Sequence, residues 1–385
     1  MRRFFVSFLL VFLSFPLAAQ EWVRHPGMRL PGQITRDANG VAHIRAFHDN
    51  DVAFLNGWVH AQDRFFQMDE NRRTAHGTLA ELLGSGALAN DIQLRTIGLG
   101  RAASLSQLEY SPRVNALLEA YAAGVNYWLA TNPLPPEYAA LEITEVPRWT
   151  ALDSIAVAKL LAFGLSFDLD TENTVALLTY QAAGQQLGIN GQALFTEDLF
   201  RAQPFDPAST VPDATTHGAP LEIQRDSGAG RLELNTGFIR PETVELLKEY
   251  GRQLREIPIF EGILDPEKRA ASNEWAIAGR LSTTGNPMIA NDPHLSLRMP
   301  STFYPIGLRG VRIGAVGMGF PGVPLVVLGH TERIAWGATT NPMDVTDVYQ
   351  EQVVPDTTSP SGLSSMFNGQ REHLAPVPQT FRVNV

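Results

Sequence analysis

Within residues 31–48 the stretch RDANGVAHIRAFH alternates apolar and polar positions on either side of Asn39-Gly40, a dipeptide suited to tight hairpin turns. The pattern predicts strand, turn and strand. From Asn50 the period changes: Val52, Leu55 and Val59, then Phe65, Phe66 and Met68, recur at helical spacing, with Asn50 or Asp51 as the expected cap. This helical stretch is expected to run through LAELLG to Gly84. Ser111-Pro112 gives the favoured cap and first-turn order for another helix, whose buried stripe is Leu117, Leu118, Tyr121 and Trp128 and which Pro133 and Pro135 end. Thr150 with Asp153 reads as a capping box opening an apolar helix around Ile155 to Phe163.

Between about 200 and 232 the chain turns to Pro, Ser, Thr, Asp and Gly without apolar periodicity, as expected of a linker or removable segment. A short amphipathic helix, PETVELLKEYGRQLREI, follows. From Ser272 the pattern is strand-like: NEWAIAG and PMIANDPHL joined by STTGN, then VRIGAVGM, VPLVVLGH and RIAWGAT. The first region is therefore mainly helical and the second β-rich, beginning at the serine. No internal repeat is visible.

Composition narrows the classes. A 385-residue chain that is 44% hydrophobic can bury a large core, and its length suits about two domains. A net charge of −10 provides no general electrostatic footprint for nucleic acid or an anionic membrane. Arg2 and Arg3, the apolar run Phe4 to Leu17 and small Ala18 and Ala19 have the layout of a secretory signal peptide over residues 1–19. The run is shorter than the ~20 residues that span a bilayer, so stable membrane insertion is not expected and the destination is periplasmic or secreted. The chain has no cysteine, so covalent catalysis must use Ser, Thr, Lys or a carboxylate.

Serine needs a base within hydrogen-bond reach. Neither G-x-S-x-G nor H-E-x-x-H occurs. A second solution uses the α-amine of an N-terminal serine, whose ordinary pKa of about 7.7 to 8.0 suits a base near neutrality, and it requires cleavage immediately before that residue. An Ala271-Ser272 junction alone reads as an ordinary strand start. Its surroundings change that reading: SNEWAIAG, ANDPHL, VPLVVLGHTERIAWGATT and DVTDVY, with upstream RDANGVAHIRA, WVHAQDRFFQMDENRR and GTLAELLG, resemble the penicillin acylase family of N-terminal nucleophile hydrolases. The resemblance runs from about residue 30 to the end and is weakest between 185 and 265.

The resemblance implies an α+β fold, a four-layer αββα sandwich of two stacked antiparallel sheets with a largely helical N-terminal subunit. It implies a first subunit over 20–200, a spacer over 201–271 and the start of a second subunit over 272–385, which the chain does not complete. Ser272 is then expected to break its bond to Ala271 and afterwards to attack the amide of a small N-acylated substrate, an N-acyl-homoserine lactone or a β-lactam antibiotic. The two cleaved chains form a heterodimer. Asn273 is implied in processing and site geometry, His294 in the position beside the nucleophile where relatives carry His or Gln, and the backbone N–H of Thr340 as an oxyanion donor. A second donor, an Asn side chain, is placed by the resemblance farther downstream than Val385. Phe167, Leu295 and Leu328 match apolar positions around the acyl pocket. Glu172, Asp344, Thr346 and Asp347 match a structural calcium site, whose hard oxygen ligands suit Ca²⁺; no organic cofactor is expected.

Two rival readings remain. One is a truncated or inactive relative with a non-catalytic binding role. The other is a nucleotide-binding protein, because Gly317, Gly319 and Gly322 in GMGFPG fit G-x-G-x-x-G after an apolar run. That motif needs a helix immediately afterwards, whereas Pro321 and Pro324 bracket a β-branched run.

Overall fold

A computed structural model describes residues 20–25, 27–165, 170–195, 240–255, 272–295, 297, 299–339 and 349–384. The expected signal peptide and the expected linker between about 200 and 232 lie outside them. The chain divides into two compact units, 1–166 with 255–341 and 379–385, and 167–254 with 342–378.

In the first unit, strands β1 (Gln20–Val23), β2 (Gly32–Arg36) and β3 (Ala42–Arg45) precede helices α1 (Asp49–His76), α2 (Ala80–Leu83), α3 (Leu88–Ile97), α4 (Leu99–Glu109), α5 (Pro112–Thr131), α6 (Pro136–Ala140) and α7 (Ala151–Leu165). The second unit contributes α8 (Asp170–Leu187), α9 (Gly191–Ala193) and α10 (Pro241–Arg255). The first unit resumes with β4 (Ser272–Ile277), β5 (Met288–Pro293), β6 (Tyr304–Arg309), β7 (Gly314–Gly319), β8 (Val326–His330) and β9 (Ala335–Trp336), and the second closes with the sheet β10 (Val353–Pro355), β11 (Leu363–Phe367) and β12 (Gln370–His373). The α+β class expected from the sequence is the one observed.

Local signals act as predicted. β2 and β3 pair antiparallel across a turn in which Gly40 takes φ +79° and the Asp37 carboxylate accepts the Asn39 and Val41 N–H groups. The Ser111 hydroxyl accepts the Val114 N–H at the start of α5. Thr150 and Asp153 close their capping box in both directions, Thr150 N to Asp153 Oδ2 at 2.7 Å and Asp153 N to Thr150 Oγ1 at 3.2 Å.

Two expectations about α1 need correction. Its N-cap is His48, which makes no side-chain cap bond, because the neighbouring carboxylates serve other segments. Asp51 accepts the backbone N–H groups of Arg29 and Leu30, and Asp49 those of Val311, Arg312 and Ile313. The helix also stops before Gly84. Gly77 adopts the left-handed conformation at φ +61°, ending α1, and the Asp91 carboxylate then accepts the N–H groups of Leu79 and Ala80 to start α2.

The seven-stranded sheet has the order β1-β2-β3-β6-β7-β8-β9, antiparallel except where β3 runs parallel to β6 with Ala42 opposite Ile306. One face presents Ile34, Ala42, Ile44, Tyr304, Ile306 and Leu308 to Val52, Phe54, Leu55 and Val59 of α1, all buried. Behind α1 lies α5, and the two helices meet backbone to backbone. A Cβ at Gly124 would lie 1.8 Å from the Phe54 carbonyl oxygen, and one at Gly57 2.1 Å from that of Tyr121. A buried ionic cluster locks α1 to the following segments: Asp69 accepts from Arg72, Arg73 and the Tyr138 hydroxyl. Burial opposes the charge on Asp153 nearby, but His76, Arg72 and Thr150 outweigh it and hold that carboxyl below the usual range.

Candidate active site

Ser272 opens β4, half-buried at the head of an antiparallel hairpin with β5. The two strand-like runs expected on either side of STTGN are strands, and they pair with a register from Ser272 opposite Pro293 to Ile277 opposite Met288. The connection depends on two glycines. Gly285 takes φ +73°, and a Cβ on Gly279 would come within 2.4 Å of the Gly285 carbonyl oxygen.

Facing the hairpin is the segment after β9, which the WGATT motif forms. Trp336 anchors it by donating its indole N–H to the Val327 carbonyl at 2.7 Å, and Thr331 Oγ1 accepts two N–H groups to close the turn before β9. Among the described residues three hydrogen bonds then join the segment to the hairpin. Thr339 Oγ1 donates to the Ser272 carbonyl at 2.6 Å. Asn291 Nδ2 donates to the Ala338 carbonyl at 2.9 Å, and Asn291 Oδ1 accepts the Ala338 N–H at 3.1 Å. The second Nδ2 proton of Asn291 reaches the Asn273 carbonyl at 3.1 Å.

Of the residues singled out from the sequence, Ser272, Asn273, His294 and Leu295 fall together. Asn273 stands second in β4 opposite Asp292, and His294 follows Pro293, the partner of Ser272. His294 is exposed and its Nε2 lies 3.0 Å from Asp292 Oδ2, a pairing that orients the ring. Leu295 is half-buried. Leu328 is buried in β8 opposite Met318. Ala271, Phe167, Thr340, Asp344, Thr346 and Asp347 lie outside the described residues, and Glu172 is in α8 with its side chain undescribed. Among the described residues no group of three or more His, Asp or Glu side chains can hold a metal ion.

The sequence reading passed over Asn291, Asp292 and Thr339. A signal for Asn291 was present: Asn is depleted in strands, so one inside the apolar run PMIANDPHL marks a side chain with a polar task. The nucleotide reading is contradicted. Gly317–Gly322 ends β7 and turns into β8 with no helix following, and the Gly322 N–H donates to the buried Tyr121 hydroxyl at 3.0 Å.

A Penicillin amidase family model matches residues 31–385. The chain is 33% identical over 322 residues to acyl-homoserine lactone acylase QuiP of Pseudomonas aeruginosa, covering 83% of this chain and 34% of that protein. It is 30% identical over 364 residues to the penicillin acylase 2 proenzyme of Pseudomonas sp. strain SE83, covering 91% of this chain and 41% of the relative. Against penicillin G acylase of Escherichia coli the identity is 26% over 341 residues, with 83% and 40% covered. The chain thus spans well under half the length of these relatives. A solved thermostable penicillin G acylase from Alcaligenes faecalis matches 49% of this chain and 97% of its own, at 24% identity and a TM-score of 0.40.

Proposed function

This chain belongs to the penicillin amidase family, and from that premise we propose that it is a self-processing amide hydrolase whose nucleophile is the hydroxyl of Ser272. In processing, Ser272 Oγ attacks the Ala271 carbonyl carbon, the C–N bond breaks and the acyl group passes to oxygen, freeing the Ser272 amine. Water then hydrolyses the ester, leaving a carboxylate on Ala271 and a new N-terminus.

In turnover the freed amine takes the hydroxyl proton as Oγ attacks the substrate amide carbon. The tetrahedral oxyanion is met by the N–H of Thr340, one such donor being worth about 10²- to 10³-fold in rate. Collapse expels the amine with the transferred proton, and water releases the acid from the ester. His294, oriented by Asp292, stands beside the reacting centre, and Leu295 and Leu328 supply apolar side chains for the acyl group. The observation carrying this reading is the tie between the Ser272 carbonyl and Thr339, which holds the head of β4 against the residue preceding Thr340.

Substrates are N-acyl-homoserine lactones first and β-lactam side-chain amides second, as the names of the relatives suggest. The two chains remain together as a heterodimer after export of the precursor to the periplasm. Glu172 with Asp344, Thr346 and Asp347 supplies hard oxygen donors of the kind Ca²⁺ takes, and the ion is structural.

Intact-mass analysis of the full-length protein is expected to show two chains, the second beginning SNEW. Ser272→Ala is expected to abolish both the split and turnover; activity retained by that variant would remove Ser272 from the nucleophile's role.

A further inference from the structure

The hairpin carrying Ser272 and the seven-stranded sheet are separate hydrogen-bonded sheets. Each has its own register. Among the described residues, what relates them at Ser272 is side-chain bonding, and two of the three hydrogen bonds there from the hairpin to residues 336–339 belong to Asn291. Its amide pairs with Ala338 as a strand residue would, accepting the N–H and donating to the C=O, while its remaining proton fixes the Asn273 carbonyl. Both donors and the oxygen are therefore in use, a demand that only a primary amide meets.

The surroundings fit this role. A Cβ at Gly337 would stand 2.7 Å from Asn291 Cγ and 2.8 Å from its Oδ1, so the loop can approach the amide only because residue 337 is glycine. The bonds reach the backbone on both sides of the chemistry: residue 273 follows the nucleophile, and residue 338 belongs to the segment leading to Thr340.

We infer that Asn291 is a positioning residue for the reaction, its side-chain amide setting the separation between the strand headed by Ser272 and the loop at Ala338. This rests on the Ser272 reading above. Without the amide the hairpin keeps its six-pair register with β5 and the large sheet keeps its own, so the protein folds, but the nucleophile drifts relative to the oxyanion side. A shift near 1 Å at a reacting centre costs about 10²-fold in rate.

The test uses full-length precursor. Asn291→Ala removes all three bonds, Asn291→Asp keeps the shape and the acceptor but loses both donors, and Gly337→Ala pushes the loop off the amide from the other side. Self-cleavage is followed by intact mass, and turnover of N-decanoyl-homoserine lactone by released homoserine lactone, beside a melting curve. For each variant, slower self-cleavage and a kcat lower by about 10²-fold are expected, with KM within roughly threefold and little change in melting temperature. The Asn291→Ala, Gly337→Ala double variant is expected to be no worse than the worse single one, since both break the same contact. Wild-type kcat in Asn291→Ala, or activity losses that follow a lowered melting temperature in all variants, overturns the inference. Ser272→Ala separates the two claims: if it is inert while the Asn291 variants behave as wild type, only the positioning role falls, and if it still turns over, the nucleophile assignment falls and this inference with it.

Discussion

Replacing Asp69 by alanine removes the one carboxylate that two buried guanidinium groups share. Asp69 is fully buried and accepts Arg72 Nε at 2.9 Å, Arg73 Nε at 3.0 Å and the Tyr138 hydroxyl at 2.9 Å, with a further short contact from Arg72 Nη2. Its charge in that position also raises the Tyr138 phenol, after burial the second cause of a pKa far above the ordinary value. Truncating one partner of a buried ion pair costs about 3 to 5 kcal/mol, because the remaining charge stays out of water uncompensated. The remaining partners limit the loss. Arg72 keeps the Pro147 and Arg148 carbonyls at 3.2 Å and Asp153 at 3.8 Å, and Arg73 keeps Glu81 at 3.5 Å. The expected cost for Asp69→Ala is therefore about 3 kcal/mol, near the lower end of that range. Asp69→Asn, which retains volume and one acceptor, is expected to lose about half as much. Urea denaturation of wild type and both variants, followed by tryptophan fluorescence, measures the difference. An Asp69→Ala loss below about 1 kcal/mol, the scale of an exposed pair, refutes the reasoning.

His60 gives the protein an acid-sensitive element. Burial, with the Arg64 charge adding to it, lowers its pKa to about 3, so as pH falls below the ordinary value of 6.5 the unfolded chain takes up this proton and the folded one does not. Stability is then lost by up to about 1.4 kcal/mol per pH unit between pH 6.5 and 3, and His60→Gln is expected to flatten that slope in urea titrations; identical slopes would argue against it. Gly124→Ala places a methyl 1.8 Å from the Phe54 carbonyl oxygen, forcing α1 and α5 apart. A loss of about 3 kcal/mol is expected, and an unchanged melting temperature would contradict the helix crossing. Chelation of calcium from the processed protein is expected to lower the melting temperature and readdition to restore it; no response to either removes the ion from the acidic segment.

Much of the local structure was legible in the sequence. Asn39-Gly40, the Ser111-Pro112 cap, the Thr150–Asp153 box and the β4–β5 hairpin each depend on residues a few positions apart, whose preferences act before any distant segment arrives. The family motifs pointed to Ser272 for the same reason, since each is a short contiguous string. What the sequence left open is work done across long separations. Hydrophobic periodicity cannot show that β3 pairs with β6, more than 250 residues later, because a strand's pattern reports which face is buried and not its neighbour. Nor can it show that Asp49 and Asp51, placed where a helix cap belongs, turn to residues 311–313 and 29–30 instead, a choice made by which unpaired N–H groups the fold brings within reach. Asn291 is the same case at the site. Read along the chain it is a polar residue in an apolar strand, and only the approach of the loop at Gly337 and Ala338 gives its amide the Ala338 N–H and C=O beside the Asn273 carbonyl of its own hairpin, because hydrogen bonds depend on distance in space and not on separation in sequence.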